Sequence, residues 1–219
     1  MRIQSLGGRV RLLLGRAQAE PVPDIEPPAQ APPPEYEFIA YAEDYLLVGN
    51  IRLDAARLTD LLNDHEEYEL VDVQVVEIGV DRALDVSTVV VARDEVLLVH
   101  ATGPRGNRER RTRTRQHPVA MQLGPYHVRG YLHALPGSDP IASFRHRKPM
   151  VPLTEAWVEY QDGGVRQRRR VATLVVNRHQ VDWIVEAIDE EVEMPDIPLR
   201  AEKGTLVKDF TGQVFGPSG

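Results

Sequence analysis

The chain has no cysteine. That excludes a disulfide framework and thiolate metal sites, and it fits a reducing compartment, so a cytoplasmic location is expected. No run of 18 apolar residues occurs, so no transmembrane helix is expected. Aromatic residues make up only 6% of the chain, fewer than single-strand nucleic-acid binders usually bring for stacking. Catalytic spacing is missing too: there is no H-E-x-x-H, no Walker loop, no G-x-S-x-G and no dinucleotide glycine pattern. Gly103-Pro104-Arg105-Gly106 reads as a turn. His127 and His133 stand six apart on one strand and could share a face, but two histidines without a carboxylate make a poor metal site. Asp60, Glu66 and Glu67 read as a solvated acidic face rather than an acid/base pair. The expectation is therefore a non-enzyme, with no catalytic residues, no metal, no cofactor and no evident small-molecule substrate.

What is present is an internal repeat. Tyr45-Leu46-Leu47-Val48-Gly49 faces Tyr126-His127-Val128-Arg129-Gly130, a shift of 81. Leu58 and Leu61 face Ile141 and Phe144, and Leu70-Val71-Asp72-Val73 faces Leu153-Thr154-Glu155-Ala156, both at a shift of 83. Val91 to Val96 faces Val176 to Val181 at a shift of 85. The drift is what loop insertions between matched strands produce. Solenoid units are usually shorter, about 20 to 50 residues, so this spacing indicates duplication of a small domain.

Each copy reads as strands with one short helix. Val71, Val73 and Val75 alternate with Asp72 and Gln74, the period of a half-buried strand. Leu58, Leu61 and Leu62 lie on one face of a short helix, with Asp54 a candidate N-cap. Val89 to Ala92 and Val96 to Val99 flank Arg93-Asp94-Glu95 as an expected hairpin, which Leu174 to Val176 and Val181 to Ile184 repeat. Each copy is near the lower size limit for an independent core, so the two should pack on each other or on other chains.

In order, the chain divides into five parts. Residues 1–35 join a basic, apolar segment (Arg2, Arg9, Arg11 and Arg16, with no acid up to residue 16) to a proline-rich linker, and are expected to be disordered. Residues 1–16 read either as a tethered docking motif for a partner or an anionic membrane, or as a frayed terminus. Residues 36–101 form the first repeat, 102–116 an arginine-rich joint, 117–188 the second repeat and 189–219 an acidic and polar tail.

Charge is strongly segregated within a net charge of −7. Residues 38–100 hold four Lys or Arg against fourteen Asp or Glu, and residues 101–172 hold fourteen against five. The candidate phosphate- or partner-binding residues are Arg105, Arg108, Arg110, Arg111, Arg113 and Arg115 in the joint, and Arg166, Arg168, Arg169 and Arg170. The second group is expected in a loop between strands. Three readings are open: arginines on RNA or DNA phosphates, a basic half meeting the acidic half of another chain, or solvated arginines without a partner. Overall acidity argues against a dedicated nucleic-acid binder.

The element Arg57-Leu58-Thr59-Asp60-Leu61-Leu62-Asn63, followed by Leu70-x-Asp72-Val73, resembles a bacterial domain family of unknown function that carries an R-L-x-D-x-L-N element. The layout is more distantly similar to Sm-like small barrels, and that likeness implies RNA binding. In the second copy Pro140, Ser143 and His146 replace Arg57, Asp60 and Asn63. These three polar residues read as capping and hydrogen bonding that fix the helix between two strands. The expected fold is all-β with short helices, arranged as two tandem SH3- or Sm-like small barrels. The expected function is an interaction or scaffold module that self-associates or binds a protein through strand edges and opposed charge. RNA or DNA binding is the first alternative, and a membrane-surface adaptor acting through residues 1–16 is the second.

Overall fold

A computed structural model describes residues 33–80, 82–104, 106 and 112–188. The first half runs β1 (Glu35–Tyr41), β2 (Tyr45–Arg52), α1 (Leu58–Asp64), β3 (Glu67–Glu77), β4 (Arg82–Ala92), a 3₁₀ turn at Arg93–Glu95 and β5 (Leu98–His100). The second half runs β6 (Arg115–Leu123), β7 (Tyr126–Ala134), α2 (Pro140–Arg145), β8 (Met150–Asp162), β9 (Val165–Asn177), a 3₁₀ turn at Arg178–Gln180 and β10 (Trp183–Glu186). The order of elements is the same in both halves. The fold is mostly β with two short helices, as the alternating apolar patterns predict.

The strands form one open antiparallel sheet in the order β10-β6-β7-β8-β9-β5-β1-β2-β3-β4. All ten strands thus belong to a single sheet. No pairing among the described residues closes either half, and β5 bonds β1 on one side and β9 on the other. The expected hairpins are corrected for the same reason. β4 bonds β3, while the 3₁₀ turn carries the chain across so that β5 reaches β1. In the second half β10 likewise reaches β6.

Both halves bend at the same place. The pairing of β2 with β3 slips between Val48 and Asn50, and that of β7 with β8 between Arg129 and Tyr131. Opposite each slip an acidic residue takes the left-handed conformation, Asp72 at φ 50° and Glu155 at φ 48°. Such a bulge adds one residue to a strand, raising its twist and curving the sheet. Gly49 and Gly130 make room for it. A Cβ at Gly49 would stand 3.0 Å from the Val71 carbonyl oxygen and 2.9 Å from Val73 Cγ2; at Gly130 it would stand 3.1 Å from Ala156 Cα.

Two apolar clusters fill the concave sides. One gathers Phe38, Ala40, Leu61, Leu62, Tyr68, Leu70 and Val99. The other gathers Met121, Leu132, Phe144, Leu153 and Leu174, and takes Ile39, Tyr41, Leu46, Leu97 and Leu98 from the first half. β1 therefore supplies alternate residues to both clusters, as do β5 and β9, which explains their unbroken apolar runs.

The helix start differs from expectation. Helix α1 begins after Arg57, which makes no side-chain cap bond, so Asp54 is not its N-cap. The helix is held instead by burying Leu58, Leu61 and Leu62. In α2 Asp139 does cap, accepting bonds from the amides of Ile141 and Ala142, with Pro140 in the first turn.

Replacing Gly49 by alanine is expected to cost about 1–3 kcal/mol, because the new Cβ meets the Val71 carbonyl oxygen and Val73 Cα as well as the Val73 side chain, and the backbone cannot simply rotate away. Urea unfolding of G49A measures this, and an unchanged midpoint would contradict the close approach of β3.

Candidate functional site

The junction between the halves is the best-built polar and apolar contact in the molecule. In the β5–β9 ladder Leu98 lies opposite Val176, Val99 opposite Val175 and His100 opposite Leu174. The ladder continues outward, since the Asn177 amide donates to the Leu97 carbonyl at 2.9 Å and the Ala101 amide to the Thr173 carbonyl at 2.9 Å. Two asparagines fasten the end of the junction where Asn177 and Met150 lie side by side. Buried Asn177 donates from Nδ2 to the carbonyls of Arg93 (3.1 Å) and Val96 (3.0 Å). Asn63 acts as a one-residue strand: its Nδ2 donates to the Met150 carbonyl at 2.8 Å and its Oδ1 accepts from the Met150 amide at 3.0 Å. A third bond, from Asn63 Nδ2 to the Thr59 carbonyl, ties the same side chain to its helix.

Under this ladder sit Tyr41, Tyr126 and Tyr160, packed edge to face with centroids 5.2–5.8 Å apart. The Tyr126 hydroxyl donates to the Ala42 carbonyl at 2.7 Å across the junction. Tyr41 Oη lies 3.1 Å from His100 Nε2. Burial and the Arg169 charge push the His100 imidazole down to about 4. Burial raises the Tyr41 and Tyr126 phenols well above their ordinary value.

Outside this junction the sheet ends at two edges. β4 has no partner beyond β3, and β10 has none beyond β6, among the described residues. Large apolar side chains are exposed on both: Leu84 at 49% on β4, and Trp183 at 42% and Val185 at 50% on β10. Neither strand contains proline or lysine, residues that commonly block an edge.

The residues singled out by sequence are spread over three settings. Arg105, Arg108, Arg110 and Arg111 lie outside the described residues, as do residues 1–32 and 189–219. Arg113 precedes β6 and Arg115 opens it, both exposed. Arg166, Arg168, Arg169 and Arg170 belong to β9 rather than to a loop, which corrects the expectation. The β8–β9 pairing continues to Asp162 and Val165, so the hairpin turn comes before the arginines.

On β9 the alternate arginines meet acids of β8. Arg166 and Arg168 both pair with Glu159, the second at 3.1 Å, and Arg170 pairs with Glu155 at 3.0 Å. The Arg168 guanidinium also lies 4.1 Å over the Trp157 ring. Arg169 points to the opposite face and donates to Tyr160. These arginines thus carry internal partners. Arg57 and Asp60 form an exposed pair at 3.1 Å, which contributes little to stability. Of the expected motif only Asn63 binds firmly, and it fixes the helix to the second half.

Other chemistry is sparse. No group of three metal-ligating side chains occurs among the described residues. A shallow depression of about 410 Å3 is lined by Asp72, Val73, Gln74, Asp85, Val86 and Ser87. No helix among the described residues is long and apolar enough to cross a membrane. Comparison with known protein families, with curated proteins and with solved structures finds no match.

His100 gives the junction a pH dependence. Its folded value lies below the unfolded one, so between them the unfolded chain binds more protons and stability falls as pH falls. The contribution is complete above about pH 6.5, and its loss is at most about 3 kcal/mol by the lower value. Urea unfolding from pH 6.5 to 5 should show this decline. It should be shallower in H100Q, and an equal slope in both proteins would contradict the assignment.

Proposed function

We propose that this chain is a non-enzymatic interaction module that joins protein partners through its two sheet edges. The carrying observation is that β4 and β10 are edges without a partner among the described residues, and that they expose Leu84, Trp183 and Val185. A free edge presents a row of unpaired amides and carbonyls, a template for another strand. The internal β5–β9 contact supports this, because edge pairing is already how the two halves are held. Each half, curled at its bulge around its own core, is read as one small-barrel-like unit of a tandem pair.

Opposed charge supports selectivity and fast encounter. The first half carries the acidic excess and the second the basic one. The ion pairs of Arg166, Arg168 and Arg170 with Glu155 and Glu159 lower the support for RNA or DNA binding, since phosphates would have to displace carboxylates. Docking through residues 1–16 remains a separate proposal about a segment outside the described residues.

Edge blocking tests the reading. The amides of Val90 and Ile184 face outward, since their neighbours at 89, 91, 183 and 185 bond β3 and β6. Proline at an outward position removes a donor while leaving the inner ladder intact. Light scattering of the full chain should give an assembly that shrinks as salt rises from about 50 mM to about 1 M. V90P/I184P should be smaller at every salt concentration, with an unchanged circular dichroism spectrum. An unchanged mass in the folded double variant would overturn the edge reading.

A further inference from the structure

We infer that the partner is a second copy of this chain, with β10 of one copy added beside β4 of the next in the register of the internal β5–β9 ladder. The inference rests on the edge-binding reading and names its occupant. β10 is the counterpart of β5: Leu98 and Val99 lie opposite Tyr41 and Ala40 of β1, and Trp183 and Ile184 opposite Gln122 and Met121 of β6. β4 is the counterpart of β9: Leu70 pairs with Val89 as Leu153 pairs with Leu174, and Tyr68 with Val91 as Val151 with Val176. The sheet therefore begins with a strand of the β5 type and ends with a strand of the β9 type. One chain's beginning fits the next chain's end.

Transferring the internal register puts Trp183 opposite Val91, Ile184 opposite Val90 and Val185 opposite Val89. The hydrogen-bonding groups agree with this placement. In the internal ladder the pairs Leu97–Asn177 and Ala101–Thr173 exchange bonds, so Val99–Val175 does as well, by alternation. Its counterpart is Ile184–Val90, the positions whose amides face outward on the free edges.

The side chains agree independently. At the internal junction the Arg169 charge bears on His100. Their counterparts are Leu84 and Val185, two of the exposed large apolar side chains of the molecule. The transferred register sets half-exposed Val185 opposite Val89, while Leu84 lies five residues further along β4. Trp183, the counterpart of fully buried Leu98, is covered by the same step.

The outer junction lacks part of the apolar packing and the Asn177 side-chain bonds of the inner one. Tyr41, Leu46 and Leu97 are replaced by Gln122, His127 and Asp182, and Asn177 and Asn63 by Ala92 and His146. It therefore dissociates more easily than the two halves separate. Because the two edges differ, the contact is head to tail, and it closes into a ring or extends as a filament according to its rotation.

A cysteine-free chain permits a direct test by cross-linking. Val185 and Val89 form a non-hydrogen-bonded pair in this register, where side chains approach most closely. V89C and V185C should each fail to cross-link alone under mild oxidation. Mixed together they should give a disulfide-linked dimer, and V89C/V185C should give closed or longer multimers. Cross-linking of V89C with itself, or no cross-link from the mixture, would overturn this register. Loss of mass in V90P/I184P without the predicted cross-link would leave self-assembly through the edges standing and remove only this register.

Discussion

The structure depends on one backbone ladder, the three-residue strand Leu98–His100 laid against Leu174–Val176. Antiparallel edge pairing removes several polar groups from water at once, and each must find a partner because an unmet buried group costs free energy. Here the ladder makes the inner bonds and Asn63 and Asn177 meet the groups at its margins. Burial then follows on both faces. Ile39, Tyr41, Leu97 and Leu98 close the mouth of the second half's core, while Met150 and Val175 enter the first half's core. Two halves too small for large independent cores thus each lend residues to the other's apolar cluster.

The same dependence underlies the contact surface proposed for this chain. A unit that needs an edge partner, duplicated once, satisfies one edge of each copy and leaves the other edge of each copy open. The open edges keep exposed apolar side chains that the internal contact buries. The arginines of β9 are held by Glu155, Glu159 and Trp157, so they shape the second half's surface rather than standing free for a phosphate.

Much of this architecture was legible in the chain itself. The alternation of Val71, Val73 and Val75, the Leu58/Leu61/Leu62 face and the matched glycines at 49 and 130 each report local geometry, and local geometry is what short patterns encode. The route of the chain after Ala92 was not legible. A polar triplet between two apolar runs suits a hairpin and a crossing equally well, and only the partner of Leu98 in β5, 78 residues away at Val176, decides between them. Arg166 to Arg170 misled for a related reason. Five polar residues resemble a loop, but on a long hairpin each alternate one is supported by an acid or an aromatic ring on β8, which sequence distance hides. Hydrogen bonding by Asn63 was legible in its motif but its partner Met150 was not, and Asn177 gave no signal because a buried asparagine shows no periodic pattern.

Hydrogen exchange at two amides tests the central claim most directly. In the assembled protein Val90 and Ile184 should be protected like Val99 and Val175 of the internal ladder, and dilution should remove protection from the first pair only. Free exchange of Val90 and Ile184 at all concentrations, beside a protected internal ladder, would contradict the account.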